Sequence, residues 1–394
     1  MSSWRSRFQA DAAAWQSAGL LRRRRVVRPL TATTAEIEGR TVTAFASNDY
    51  LGLSRHPLLS EALAEGARRF GAGAGASHLV SGHHVVHEAL EQELARFVGK
   101  PAALTFLNGY VANLALLTTL AGEGDVIFSD QLNHASIIDG ARLSQAAVEV
   151  YAHADVGALE LLLKSSQARQ KLVVTDAVFS MDGDVAPLQD LLALCERHDA
   201  LLVVDDAHGF GVRGPQGRGS LQALGLQSEC LVYMGTLGKA AGLSGAFVAG
   251  EQLIIERLIQ RARSYVFSTA SSPALAHATL TALDLIRAAD DARLRLTAHR
   301  ERLQRAAADW QPYLLLASPT PIQPLVIGDN ASVLAVAEAL LEEGLWVPAI
   351  RPPTVAPGSA RLRIALSAAH TAEDLERLCS VLAQVAARAV LLPP

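Results

Sequence analysis

From residue 83 onward the chain alternates between two hydrophobic patterns. In one, apolar residues recur at helical spacing; in the other, three or four successive residues are mostly apolar and often β-branched. Residues 83–97 (HHVVHEALEQELARF) carry the first pattern, with a glutamate near the start, and predict a helix. A second helix is expected after Asn108-Gly109, then a strand at Val126-Ile127-Phe128, a helix from Ala135 and a strand at Val148-Glu149-Val150. The series continues with a helix from Val156, a strand at 172–175, a helix from Pro187 and a strand at 201–204. Strands that are apolar throughout are buried on both faces, which describes a mostly parallel sheet flanked by helices. The expected fold class is therefore α/β. Near residue 285 the pattern changes: long charged helices (291–310, 332–343, 372–387) alternate with strands at 322–327, 345–347 and 361–366. That reads as a smaller α+β domain. The expected organisation is an N-terminal segment (1–45), a large domain (46–285) and a small C-terminal domain (286–394).

Composition narrows the function classes. The 394 residues are enough for two domains or one large α/β domain with an appendage. Lysine plus arginine (35) nearly balances aspartate plus glutamate (39), for a net charge of −4, which argues against a polyanion-binding surface and hence against nucleic acid. The one basic run, Arg22 to Arg25, reads most simply as a solvated helix end or turn. Cys195, Cys230 and Cys379 stand far apart with no metal spacing, as expected of reduced thiols in a cytosolic, and so cytoplasmic, protein. No run of 18 apolar residues predicts a membrane span, and the N-terminus has no apolar core of a secretory signal.

Three motif matches fail on context. Residues 71–76 (GAGAGA) contain G-x-G-x-x-A, but a helical segment precedes them where a dinucleotide fingerprint needs a strand. They are expected to form a loop. Lys239 in MGTLGKAAG (234–242) is not a P-loop lysine, because Tyr233 stands where the first glycine belongs and Ala240 where Ser or Thr belongs. His83, His87 and Glu91 share a helix face, yet nothing completes a zinc set, so no metal is expected.

Ligands in open α/β sheets bind beyond the C-terminal ends of the strands, so polar residues just after each apolar run carry the interest. The 201–204 run ends in Asp205-Asp206-Ala207-His208-Gly209. A carboxylate at a buried strand tip needs a cation, and a protonated pyridine nitrogen is one that suits it; a helix cap is the plainer alternative. Thirty-four residues on, Lys239 follows another apolar run among small residues, where desolvation favours the neutral amine an imine requires. Asn108-Gly109-Tyr110 opens a helix, whose free N–H groups favour a phosphate. His134 follows a further strand, where an imidazole can stack on a ring or serve structure alone. Together, phosphate seat, ring stacker, ring-nitrogen partner and imine lysine ask for pyridoxal 5′-phosphate (PLP).

The stretches SNDYLGL (47–53), FSMDGDVAPL (179–188), VDDAHGFGVRGPQGRG (204–219), GTLGKAAG (235–242), IQPL (322–325) and IRPPTV (350–355) are similar to those of the α-oxoamine synthases. These are PLP-dependent transferases of fold type I, and the resemblance spans nearly the whole chain. It implies that Lys239 carries the cofactor covalently and later moves the substrate Cα proton, with Asp205 on the ring nitrogen. It further implies His208 and Ser180 on the ring oxygen, His134 over the ring and against the substrate, Gly109 and Tyr110 offering backbone N–H groups, and Thr236 supporting the phosphate. Arg351 would clamp the amino-acid carboxylate, Thr354 and Arg22 would touch substrate, and Asn48 would lie near the thioester. On that footing one arginine of the basic run becomes a site residue.

IRPPTV and IQPL point, within the family, to members that condense L-alanine with a pimeloyl thioester, on CoA or a carrier protein, in biotin biosynthesis. The rivals keep the chemistry and change the substrates: glycine with acetyl-CoA, glycine with succinyl-CoA, or serine with a long acyl thioester. A PLP-binding module without synthase activity is the reading of another class. A homodimer is implied as well.

Overall fold

The computed structural model describes residues 3–391. The chain forms two compact units: one from Leu51–Ser180 and Asp184–Arg293, the other from the segment up to Tyr50, Met181–Gly183 and the chain from Leu294 onward. No helix among the described residues is long and apolar enough to cross a membrane. The three cysteines are free.

The first unit is built on a seven-stranded sheet. Its spatial order is Ala102–Phe106, Ala246–Gly250, Leu231–Thr236, Ala200–Asp205, Lys171–Asp176, Val126–Asp130, Ala147–Tyr151. Only Ala246–Gly250 runs antiparallel to its neighbours, so the mostly parallel α/β sheet is as the apolar runs require. Leu231–Thr236, Ala246–Gly250 and Val126–Asp130 are buried at every position. Two strands lacked the expected signature, Ala102–Phe106 and Ala246–Gly250, which are rich in alanine; Ala147–Tyr151, expected at 148–150, is an edge strand with exposed positions. Helices cover the sheet and share a core with it around Leu116, Leu117, Ile127, Leu172, Val203 and Val232.

Helix starts are encoded locally. Asn108 Oδ1 caps Gly109–Leu120 by accepting from Val111 N at 3.0 Å, and Asp155 Oδ1 caps Val156–Ser165 from Ala158 N at 2.9 Å. The imidazole of His134 caps Ala135–Leu143 in the same way, through Ser136 N. The first and third of these caps place pocket residues.

The second unit holds two four-stranded sheets. One pairs Leu314–Leu315, Ile322–Gly328, Ala360–Ala365 and Ala349–Ile350 in antiparallel fashion. The other joins Val27–Pro29, Thr34–Ile37 and Arg40–Ala44 to Leu345–Trp346, the last pairing being parallel. This corrects the expectation of a separate N-terminal segment. Ala35, Ile37 and Val42 form a small core with Leu341 and Trp346, so C-terminal residues cover the apolar face of the N-terminal strands. The expected boundary at 285 also moves, to Arg293/Leu294. Helix Pro273–Arg287 packs so tightly on Pro57–Phe70 that a Cβ at Gly66 would lie 2.9 Å from Ala274 Cα. That helix therefore belongs wholly to the first unit.

Residues 71–76 are irregular, as expected. His87 and Glu91 are committed to structure. His87 Nδ1 accepts from His84 N and Nε2 donates to Ser271 O, while Glu91 Oε1 accepts from the N–H and hydroxyl of Thr105.

Candidate active site

Two buried carboxylates stand side by side at the C-terminal edge of the sheet. Asp205 ends its strand, and its register partner on the neighbouring strand is Asp176. Asp205 Oδ2 accepts from Asn113 Nδ2 at 2.7 Å and Oδ1 from Ala207 N at 3.0 Å. Asp176 Oδ2 accepts from His134 N at 2.8 Å. Burial, and then the charge of Asp205, push the Asp176 carboxyl well above its ordinary value, which favours its protonated form. The next residue, Asp206, turns away into structure: its oxygens accept from Ser220 N, Ser220 Oγ and Tyr233 OH. Of the adjacent pair, only Asp205 faces the pocket.

Lys239 follows the strand Leu231–Thr236, and its Nζ lies 2.8 Å from Nε2 of the buried His208. The turn behind it closes through Gly242 N donating to Lys239 O at 2.9 Å. Gly242 has φ +71°, and a Cβ there would lie 2.5 Å from Ser54 N, so this glycine is required twice over. His134 is exposed, yet the protein packed around its ring lowers its pKa; Asp205 opposes the shift and Lys239 adds to it.

All eight residues expected at the cofactor (Gly109, Tyr110, His134, Ser180, Asp205, His208, Thr236 and Lys239) line one cavity of about 180 Å³. Asn113, Ser136 and Asp176 line it too and were not expected. Each carried a readable signal: Asn113 lies one helical turn after Gly109, Ser136 two residues after a capping histidine, and Asp176 at the tip of an apolar strand. Thr236 departs in detail. Its hydroxyl donates to Gly245 O at 3.1 Å and accepts from Gly238 N at 3.3 Å, so it braces the lysine turn.

Of the residues expected at substrate, His134 lines that cavity and the other four do not. Arg22, Arg351 and Thr354 line a second one of about 210 Å³ in the other unit, with Arg23 beside them. No carboxylate lines it. Arg351 donates to Gly19 O, and burial, then the charge of Arg22, lower its pKa. Two guanidiniums facing one space without an acid suit a carboxylate ligand. Asn48 lies in neither cavity. Its Oδ1 accepts from Arg363 Nη1 at 3.1 Å and from Tyr50 OH at 3.2 Å.

The residues of the first cavity fit PLP. An amine stands beside an imidazole, a carboxylate waits at a strand tip, and a helix begins with a residue that has no side chain. Asn108 caps Val111 N, which leaves the N–H groups of Gly109 and Tyr110 to face an anion along the helix dipole. A Cβ at Gly109 would meet the Met234 side chain at an ordinary 3.6 Å, so packing alone does not demand a glycine there. Such a cavity at the carboxyl edge of a mostly parallel sheet defines a PLP-dependent enzyme of the fold type I class.

The model for aminotransferase class I and II matches residues 40–382, and the chain belongs to that family. It is 56% identical over 384 residues to an 8-amino-7-oxononanoate synthase from Azoarcus sp. (strain BH72), covering 97% of this chain and 98% of that protein. A serine palmitoyltransferase from Sphingomonas wittichii superposes with a TM-score of 0.93 at 32% identity, over 100% of both chains. An 8-amino-7-oxononanoate synthase from Francisella tularensis gives 0.77 at 30% identity, over 89% of this chain and 99% of that one. Serine palmitoyltransferase of this fold has been solved with PLP, and PLP is the cofactor of this chain.

Proposed function

We propose that the chain condenses L-alanine with a pimeloyl thioester, giving 8-amino-7-oxononanoate, CO₂ and the free thiol, the reaction of biotin biosynthesis named by its close relatives. The observation that carries this is the 56% identity over nearly full length to an enzyme of that name, together with a Lys239–His208–Asp205 cavity suited to PLP. The backbone match to serine palmitoyltransferase is the better of the two superpositions. Backbone agreement, however, reports fold, and fold does not choose a substrate. The identity, at 56% against 32%, supports alanine and the pimeloyl chain.

Gly109 and Tyr110 would hold the cofactor phosphate, His134 the ring face, Asp205 the ring nitrogen, and His208 with Ser180 the ring oxygen. PLP, when bound, supplies an electron sink for negative charge at the amino-acid Cα. Lys239 takes the Cα proton and later returns one, and His208 at 2.8 Å holds the amine in position for both transfers. The exposed Arg22 and the half-buried Arg351 each match a carboxylate: Arg351 that of alanine, Arg22 the far end of the acyl chain. Thr354 contacts substrate beside them. Asn48, its Oδ1 held by Arg363 and Tyr50, would offer its amide nitrogen to the thioester end. A homodimer is the expected assembly.

The test is turnover by the purified protein, read by mass spectrometry. L-alanine with pimeloyl-CoA should yield 8-amino-7-oxononanoate; product from glycine with acetyl-CoA alone would refute the substrate assignment. Borohydride reduction followed by peptide mapping should fix PLP on Lys239, and label on any other lysine refutes the site.

A further inference from the structure

Asn113 is buried in helix Gly109–Leu120, and its amide nitrogen has two partners. One is Asp205 Oδ2 at 2.7 Å; the other is Ser136 Oγ at 2.9 Å. Ser136 is itself fully buried, and its Oγ lies 2.7 Å from His134 Nδ1. The backbone N–H of Ser136 also points at that Nδ1, at 3.2 Å.

Donors and acceptors along this chain have one consistent arrangement. A backbone N–H can only donate, so His134 Nδ1 carries the lone pair and the neutral ring holds its proton on Nε2. Ser136 Oγ, close to the same Nδ1, therefore donates to it and accepts from Asn113. The second Asn113 N–H goes to the carboxylate of Asp205. Turning the amide over would set its carbonyl against that carboxylate, an acceptor against an acceptor. The frame around the chain is stiff. A Cβ at Gly140, on the neighbouring helix Ala135–Leu143, would lie 3.1 Å from Asn113 O and from Leu117 Cδ1.

We propose that Asn113 is a positioning residue that joins the two sides of the cofactor cavity, holding Asp205 directly and, through Ser136, aiming a second donor at the His134 Nδ1 that the Ser136 backbone N–H already keeps unprotonated. It touches neither the reacting atoms nor the lysine. Its task is to keep a carboxylate and an imidazole, borne on different elements, in one fixed relation. The inference rests on the PLP reading for its consequence, but the hydrogen-bond chain exists without the cofactor.

The experiment uses the full-length protein carrying ¹⁵N-labelled histidine, first without and then with PLP. His134 signals are assigned by their loss in His134→Gln. In the parent protein, His134 should show a protonated Nε2 and an unprotonated Nδ1. Asn113→Leu should weaken PLP binding roughly tenfold, as expected for loss of one hydrogen bond to a charged group, and shift the His134 Nδ1 signal while leaving that nitrogen unprotonated. Ser136→Ala should shift the His134 Nδ1 signal in the same way, because the hydroxyl donor is lost while the backbone N–H remains. A folded Asn113→Leu protein with the parent's His134 signals and PLP affinity overturns the proposal. If Asn113→Leu does not fold, an unchanged His134 signal in Ser136→Ala overturns it. Failure of the parent to take up PLP refutes the cofactor reading instead, and the His134 Nδ1 signal of the protein alone still decides the role of Asn113.

Discussion

At His153 both ring nitrogens are committed: Nδ1 to Asp130 Oδ1 at 3.0 Å and Nε2 to Asp184 Oδ2 at 2.7 Å. Asp130 ends a central strand, while Asp184 closes the turn that carries Ser180, its carbonyl accepting from Phe179 N at 3.0 Å. One imidazolium therefore ties the Ser180 turn to the sheet, with the edge of Phe179 packed on its ring. The hydrogen bond to Asp130, then that to Asp184, raises the His153 pKa from 6.5 to about 10. The sign of the linkage follows from that direction. A group whose pKa rises on folding stabilises fully below its unfolded value and loses the effect as pH climbs through the folded one. His153→Gln should accordingly melt below the parent at pH 6, and the gap should close as pH approaches 10. Thermal unfolding of both proteins across that range checks it. A gap that widens with pH would mean that the pair is not ionic.

At the level of elements, the turn around Lys239 shows what a sequence discloses and what it conceals. The strand before it and the lysine itself were legible, because an apolar run followed by a lone cation among small residues is costly without a purpose. The two glycines flanking Lys239 look alike in the sequence but differ in the fold. At Gly238 a Cβ would meet Thr236 Oγ1 at 3.7 Å, an ordinary contact. At Gly242 it would collide with the backbone of Leu53 and Ser54, and φ is +71°. Gly242→Ala should therefore cost upwards of about 1–2 kcal/mol from the left-handed backbone alone. Gly238→Ala should stay within about 1 kcal/mol. Denaturant unfolding of the two variants compares them directly; equal losses would contradict the turn geometry. Asn113 and Ser136 stood at readable positions, but their partners were hidden for a similar reason. Their chemistry lies in a contact between two helices, and periodicity reports which face of a helix is buried, not what it meets there.

Across the whole molecule, the mostly parallel sheet and the cofactor cavity followed from the alternation of apolar runs and helices, because a parallel sheet brings its strand tips together wherever they fall in sequence. The N-terminal strands escaped notice because they complete a sheet whose other member lies some 300 residues away, at Leu345–Trp346, and no local pattern announces so distant a partner. That pairing has a direct consequence for truncation. Helix Trp4–Ser17 buries none of its residues, so removing residues 1–17 should leave thermal unfolding cooperative, with a midpoint close to that of the full chain. Removing residues 1–45 instead strips Thr34–Ile37 and Arg40–Ala44 from Leu345–Trp346 and takes away the fully buried Phe45. It also uncovers Leu341 and Trp346, which pack against Ala35, Ile37 and Val42. The shorter chain should lose its single cooperative transition and aggregate on heating, since lost apolar burial and unpaired strand edges act together. Calorimetry and light scattering on the two truncations make the comparison. A chain beginning at residue 46 that unfolds like the full-length protein would show that the second unit does not need its N-terminal strands.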